Sequence, residues 1–339
     1  MMDDTDGTIL RALQVYPRAS FRLLGEVAGI SEQTAARRYQ ALRRAGVTRV
    51  VGVVRPAVRG DAEWVVRVRC RPDRLEPLAA SLARRRDVVF AYVVSGGTEI
   101  VCIVRAPIVA VGDDALLAAL PSRAAVLDLR VDLLLHAFNP GSASKWTGFG
   151  GCLPEESRAL VAAAASGAAG VEEEAVDGGA VENARLTDDD APLIAALTQD
   201  GRLPHRELAR VCGWTVGRVR RRLRTLEQGG ALQYDVEILP ERLGFDLSAT
   251  LWLEVSPGAI DAVGEAVAAH DEVAFAAAIS GEHNLMVSVI CRNADDFYRY
   301  LRTRIGAMEG ILGYSVSIRV RRLKQNASLV VQGRLIQPV

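Results

Sequence analysis

Residues 31–45 read SEQTAARRYQALRRA, and residues 215–229 read TVGRVRRRLRTLEQG. The two segments lie 184 positions apart and align without a gap. Each places its apolar residues on one narrow helical stripe, at i, i+4 and i+7. The stripe is Ala35, Tyr39 and Leu42 in the first segment, and Val219, Leu223 and Leu226 in the second. At 100° per residue, Gln33, Thr34, Arg37 and Gln40 then point outward in the first, with Arg38 beside them. Gly217, Arg218, Arg221 and Arg224 do so in the second, flanked by Arg220 and Arg222. Both are arginine-loaded helices with a thin buried edge.

The flanking residues define what these helices belong to. Residues 6–15 carry Ile9, Leu10 and Leu13 on one helical face. Ser20 is placed to cap a short helix whose Leu23, Leu24 and Val27 face inward, and Ala28-Gly29-Ile30 makes a turn. Ser31 caps the next helix and Gly46 ends it. The second copy repeats the scheme with Pro204, Gly213, Thr215 and Gly229-Gly230. Three helices with a glycine in the tight second turn describe a helix-turn-helix unit.

The repeat runs further. At offset 184, Arg18 meets Arg202, Leu24 meets Leu208, and Pro56 and Gly60 meet Pro240 and Gly244. Beyond the seventies the offset is 185, pairing Val88, Ser95, Gly96 and Val131 with Val273, Ser280, Gly281 and Val316. The chain is two tandem copies of a two-part unit. After each helical triplet the period changes to that of strands at 64–70, 88–94, 100–105 and 126–135, with helices at 75–85 and 114–120. The second copy repeats this order at 249–255, 273–279, 285–291 and 311–320, with helices at 260–269 and 294–305. The order βαββαβ is ferredoxin-like, an antiparallel sheet with helices on one face. Its bare face needs a cover, most simply the sheet of the other copy, and Val66, Val68, Leu251 and Leu253 are expected between them. The fold class is α+β: two winged-helix-like helix-turn-helix units and two ferredoxin-like units in tandem.

These patterns divide the chain into helix-turn-helix domains at 3–52 and 187–236, and βαββαβ domains at 60–138 and 244–325. Residues 139–186 form an acidic Gly/Ala linker and 326–339 a tail. Residues 155–190 hold ten acids against Arg158 and Arg185, with an alanine-rich helix expected at 155–165. The 339 residues carry 41 basic and 41 acidic groups, so any pull toward nucleic acid must come from where charges sit. Cys70, Cys102, Cys152, Cys212 and Cys291 are scattered without a CxxC pair, as in reduced thiols of a cytoplasmic protein. The acidic start MMDDTDG is not expected to be a secretory signal, and no apolar run is long enough for a membrane. No spacing calls for a metal or other cofactor.

Arginine, glutamine and threonine on an exposed helix bond phosphates and base edges in a major groove, which makes double-stranded DNA the expected partner. The faces recur at equivalent positions, and few acids lie within helical reach to neutralise them. The pattern DxxxxxxLxxxxRxSxxxLxxxxGxSxxTxxRRxxxLxxxGV, from Asp6 to Val47, resembles the leucine-responsive regulatory protein (Lrp)/AsnC family of transcription regulators. The βαββαβ units resemble that family's effector-sensing domain, with sensing loops at 95–99 (SGGTE) and 280–284 (SGEHN). The resemblance implies DNA binding as a dimer or higher homo-oligomer and control by an amino acid or related metabolite. It also implies effector contacts at Gly96, Glu99, Gly281 and Asn284, with copy one the amino-acid binder because Asn284 lacks the acid's charge. The fused tandem implies a pseudo-dimeric chain.

A decarboxylase of sirohaem shares this two-part architecture and is the alternative. It uses histidine and arginine on porphyrin carboxylates. Of His136, His205, His270 and His283, only His283 lies near a sensing loop, and no histidine-tyrosine-arginine cluster accompanies it. The sequence reading is therefore a regulator and not an enzyme.

Overall fold

The computed structural model describes residues 3–109, 126–138, 146, 148–149, 153–170 and 185–337. Copy one runs α1 (Asp4–Val15), α2 (Phe21–Ala28), α3 (Glu32–Arg44), β1 (Thr48–Val54), β2 (Ala62–Cys70), α4 (Leu75–Arg84), β3 (Val88–Val94), β4 (Glu99–Ala106) and β5 (Val126–Ala137). The helix expected at 114–120 falls outside the described residues. After α5 (Glu155–Gly170), copy two runs α6 (Ala191–Gln199), α7 (His205–Cys212), α8 (Val216–Gln228), β6 (Leu232–Ile238) and β7 (Leu247–Val255). It continues through α9 (Ile260–Ala268), β8 (Val273–Ile279), β9 (Leu285–Cys291), α10 (Ala294–Tyr300) and β10 (Ile311–Gln325). Two short strands, β11 (Ser328–Val331) and β12 (Arg334–Ile336), follow.

The copies do not form separate domains. One compact unit is Met1–Arg59 with Gly150–Ile238, and the other is Gly60–Phe149 with Leu239–Val339. Like parts of the two copies therefore sit together.

In the helical unit, Ser31 and Thr215 cap α3 and α8 by accepting from the amides of Thr34 and Arg218. Gly29 and Gly213 end the preceding helices at φ 65° and 66°, a left-handed conformation that glycine takes without a Cβ penalty. Ala35, Tyr39, Leu42 and Val219, Leu223, Leu226 are all buried, as their spacing requires. β1 and β6, which were not expected as strands, pair antiparallel from Thr48↔Ile238 to Val54↔Leu232 and join the two copies. Gly52 sits where a Cβ would lie 2.8 Å from the Leu197 Cβ, so its lack of a side chain lets β1 close onto α6. Within the segment read as a linker, α5 packs on α1 and buries Val161.

In the other unit, copy one has strand order β3-β4-β2-β5 and copy two β8-β9-β7-β10. β5 pairs with β8, and β10 pairs with both β7 and β3, so the two sheets join at both ends. Joining both ends removes most exposed edges. The residues expected between the sheets are buried, but on the opposite face. Val66 and Val68 pack beneath α4 with Leu78 and Leu82, and Leu251 and Leu253 pack beneath α9 with Val263 and Val267. The layer between the sheets is Val65, Tyr92, Val94, Val101, Ile103, Trp252, Ile279 and Met286. Side chains alternate along a strand, so a shift of one residue exchanges the faces. β10 runs past the expected strand end and turns at Asn326 into β11 and β12, so the segment read as a tail extends the sheet.

Candidate nucleic-acid interface and effector cavity

On α3, Gln33, Arg37 and Gln40 are exposed, while Thr34 is half-buried and its hydroxyl accepts from Ser31 Oγ at 2.9 Å. On α8, Arg218, Arg220, Arg221 and Arg224 are exposed. Arg37, Arg221 and Arg224 have no ion-pair partner among the described residues. Arg218 is held differently: its guanidinium lies 4.1 Å over the Trp214 ring and 3.1 Å from Asp189 Oδ2. Trp214, overlooked in the sequence, stands in the turn where copy one has Ile30.

Arg38 and Arg222 do not belong to the outward set. Arg38 donates to Asp3 at 2.8 Å and Asp6 at 3.0 Å, and Arg222 grips Asp190 through Nε at 2.7 Å and Nη2 at 2.5 Å. Asp6 and Asp190 stand 32 residues before their arginines, so a search for acids within helical reach misses them. Burial pushes the Asp190 carboxyl up, yet the Arg222 hydrogen bonds outweigh it and hold the group below its ordinary value. These two arginines brace the recognition helices against the preceding segment.

The sensing loops are tight turns. Ser95, Gly96 and Gly97 have φ of 54°, 71° and 88°. Glu99 Oε1 accepts from Arg67 Nε at 3.0 Å. The Asn284 amide accepts from the Val255 N–H at 2.8 Å and donates to its carbonyl at 2.7 Å, standing in for a strand partner. A Cβ on Gly281 would lie 2.3 Å from Asp132 Oδ1, so this glycine makes room for a carboxylate.

That carboxylate lines a cavity of about 230 Å³, together with Arg67, Arg130, Trp252, Glu282 and His283 over an apolar floor of Val131 and Ile279. None of Gly96, Glu99, Gly281 and Asn284 is among its lining residues. The candidate ligand contacts therefore move to Glu282 and His283 of the copy-two loop and to strand residues of copy one. Alternating charges at Arg130 and Asp132 on β5 were the available sequence signal. Arg130 pairs with Glu282 at 2.9 Å, Arg67 stacks 4.4 Å from the Trp252 centroid, and His283 Nε2 lies 3.3 Å from Ser315 Oγ. Burial raises the Asp132 carboxyl, opposed by Arg67, Arg130 and His283. Two guanidiniums, two carboxylates and an indole around one small space match a ligand with opposite charges and an apolar body. Among the described residues, no group of His, Cys, Asp and Glu could hold a metal ion, and no helix is long and apolar enough to cross a membrane.

The architecture and this site define a tandem helix-turn-helix protein with paired ferredoxin-like domains. Residues 2–43 and 186–227 match the AsnC-type helix-turn-helix domain, and residues 248–329 match the Lrp/AsnC ligand binding domain. The chain belongs to the Lrp/AsnC family of transcriptional regulators, in tandem-duplicated form. It is 24% identical over 148 residues to the HTH-type transcriptional regulator FL11 of Pyrococcus furiosus, covering 43% of this chain and 97% of that one. It is 26% identical over 136 residues to the regulator LrpA of Pyrococcus abyssi, covering 40% and 96%. Among solved structures, the sirohaem decarboxylase NirDL in complex with an iron-uroporphyrin III analogue matches with a TM-score of 0.59 and 16% identity, over 95% of this chain and 92% of that one. The expectation that the chain is not an enzyme is corrected by this likeness. The fold that spans nearly the whole chain is one that an enzyme uses.

Proposed function

We propose that the chain regulates transcription by binding double-stranded DNA through α3 and α8, under control of a small zwitterion of the amino-acid class held in the cavity. The observation that carries the DNA reading is the exposure of Arg37 on one recognition helix and Arg221 and Arg224 on the other, without ion-pair partners among the described residues. Unpaired guanidiniums on an exposed helix are suited to phosphates and guanine edges. The heads differ: copy one offers Gln33, Thr34, Arg37 and Gln40, and copy two Arg218, Arg220, Arg221 and Arg224. A fused chain with two such heads needs no palindrome. Copy one reads more base edges and copy two leans on phosphates. One chain supplies both halves of the dimer, and whole chains assemble further as homo-oligomers.

The cavity supports the effector reading. Its volume of about 230 Å³ lies under the roughly 300–1,000 Å³ of drug-sized pockets, as an amino acid requires. A ligand that binds one conformational state better than another shifts DNA affinity by its differential binding energy.

Genome-wide footprinting tests this function and names the regulated genes. Asymmetric protected sites are expected. Only symmetric sites would defeat the unequal-heads reading. Failure to protect any DNA, together with a visible absorption band on adding sirohaem, would favour the enzyme reading.

A further inference from the structure

The cavity has a counterpart position, because the ladders of β2 and β7 match at an offset of 185, and from β2 onward the residues of copy one have equivalents 185 positions later. The equivalents show what happened to it. Arg67 corresponds to Trp252, Arg130 to Ser315 and Asp132 to Ser317, while Glu282 and His283 correspond to Gly97 and Thr98. The ladders agree: β2 sets Arg67 opposite Arg130, and β7 sets Trp252 opposite Ser315. All five polar or charged positions of the open side are thus replaced by uncharged residues on the other. The Trp252 indole, 1% exposed, donates to Ser317 Oγ at 3.0 Å and so faces the equivalent of Asp132. Nearby, the guanidinium of Arg319 stacks 4.2 Å from the Tyr92 centroid and donates to Ser288 at 2.7 Å and Thr250 at 3.2 Å. The positions equivalent to Arg319 and Tyr92 are Leu134 and Ala277.

Resting on the effector reading above, we propose that the chain carries one zwitterion site per pseudo-dimer, where a symmetric dimer of this architecture has two. The site joins the carboxylate and guanidiniums of copy one to the Glu282–His283 loop of copy two. Its counterpart is closed by the Trp252 side chain. On the closed side the loop acid Glu99 is held by Arg67 at 3.0 Å and the Arg319 guanidinium is stacked on Tyr92, whereas Arg130, Asp132, Glu282 and His283 line the open cavity, so the ammonium and carboxylate of an amino acid find their partners on that side. Binding to the fused chain is then non-cooperative within a chain and saturates at one ligand.

The test is calorimetric titration of the full chain with the twenty common L-amino acids, followed by stoichiometry for any that bind. One ligand per chain is expected. Asp132→Asn and Arg130→Gln should each weaken affinity by about tenfold or more, because each leaves a ligand charge without its partner. Thr98→Ala, on the closed side, should leave affinity and stoichiometry unchanged. Two ligands per chain, or loss of binding in Thr98→Ala equal to that in Asp132→Asn, would overturn the single-site inference while leaving the effector reading intact. Binding by none of the twenty would overturn the effector reading and the inference with it. Circular dichroism of each variant separates lost binding from lost fold.

Discussion

Arg18 and Arg202 occupy equivalent positions in the two copies, and each donates to the two backbone carbonyls that flank the other. Arg202 reaches the carbonyls of Pro17 at 2.7 Å and Ala19 at 2.6 Å, while Arg18 reaches those of Gly201 and, at 3.1 Å, Leu203. The clasp is not symmetric in its surroundings. The Arg202 guanidinium lies 4.9 Å from the Phe21 centroid and 5.1 Å from that of Tyr39, whereas Arg18 stacks, among the described residues, on the Tyr234 ring at 5.3 Å. Burial lowers the Arg202 pKa and pushes Tyr39 up to about 12. With the β1–β6 ladder, this exchange fixes the two helix-turn-helix copies to each other.

Arg202→Ala should therefore destabilise the helical unit by about 3 kcal/mol, from two charge-assisted hydrogen bonds and the aromatic stack. Arg18→Ala should cost less, since one ring borders it among the described residues. Arg202→Lys should recover little, because an ammonium lacks the fork that spans two carbonyls. Urea denaturation of the three variants checks the order, and equal losses for Arg18 and Arg202 would contradict it.

The Asp190–Arg222 pair predicts an acid-sensitive unit. The folded Asp190 pKa lies below its ordinary 3.8, so the unfolded chain binds the proton more readily. Stability from this group is fully present above the ordinary value and is lost as pH falls through the folded one. Asp190→Asn should cost roughly 3 kcal/mol near neutrality, since it strands a half-buried guanidinium. It should also flatten the stability profile below about pH 4. Denaturation midpoints at pH 6 and pH 3 test the sign.

The two loop glycines should respond differently to the same change. Gly96 has φ 71° with no atom within 4 Å of an added Cβ, so Gly96→Ala should cost about 1 kcal/mol of stability through backbone strain. At Gly281 the added Cβ would lie 2.3 Å from Asp132 Oδ1. Gly281→Ala should displace that carboxylate and weaken effector binding with a smaller effect on unfolding. Calorimetry and denaturation on both variants distinguish the outcomes.

The repeat, the helix-turn-helix units and the βαββαβ order were legible because each leaves a local period: 3.6 residues on Ala35, Tyr39 and Leu42, and a cap at Ser31 or Thr215. What was not legible depends on partners distant in sequence. β2 is apolar on both faces, with Val65 on one and Val66 and Val68 on the other, so alternation alone does not say which face meets the second sheet. Among the described residues, each of β1 and β6 pairs with a strand about 184 residues away. The cavity assembles from β2, β5, β7 and the loop after β8, so no single stretch carries its signature. The loop motifs point to Gly96, Glu99, Gly281 and Asn284, whereas the cavity beside the second loop is lined by Arg67, Arg130, Asp132 and Trp252 together with Glu282 and His283.

The central claim is that α3 and α8 both contact DNA. Its most direct test is the salt dependence of binding to a footprinted site by the full chain, with Arg37→Ala and Arg221→Ala alongside. The account predicts a steep fall of log K with log salt, with Arg221→Ala lowering the slope by about 1 on any sequence. Arg37→Ala should instead relax preference at particular bases, by roughly 1–3 kcal/mol each. Absence of DNA binding, or slopes and base preferences unchanged in both variants, would contradict it.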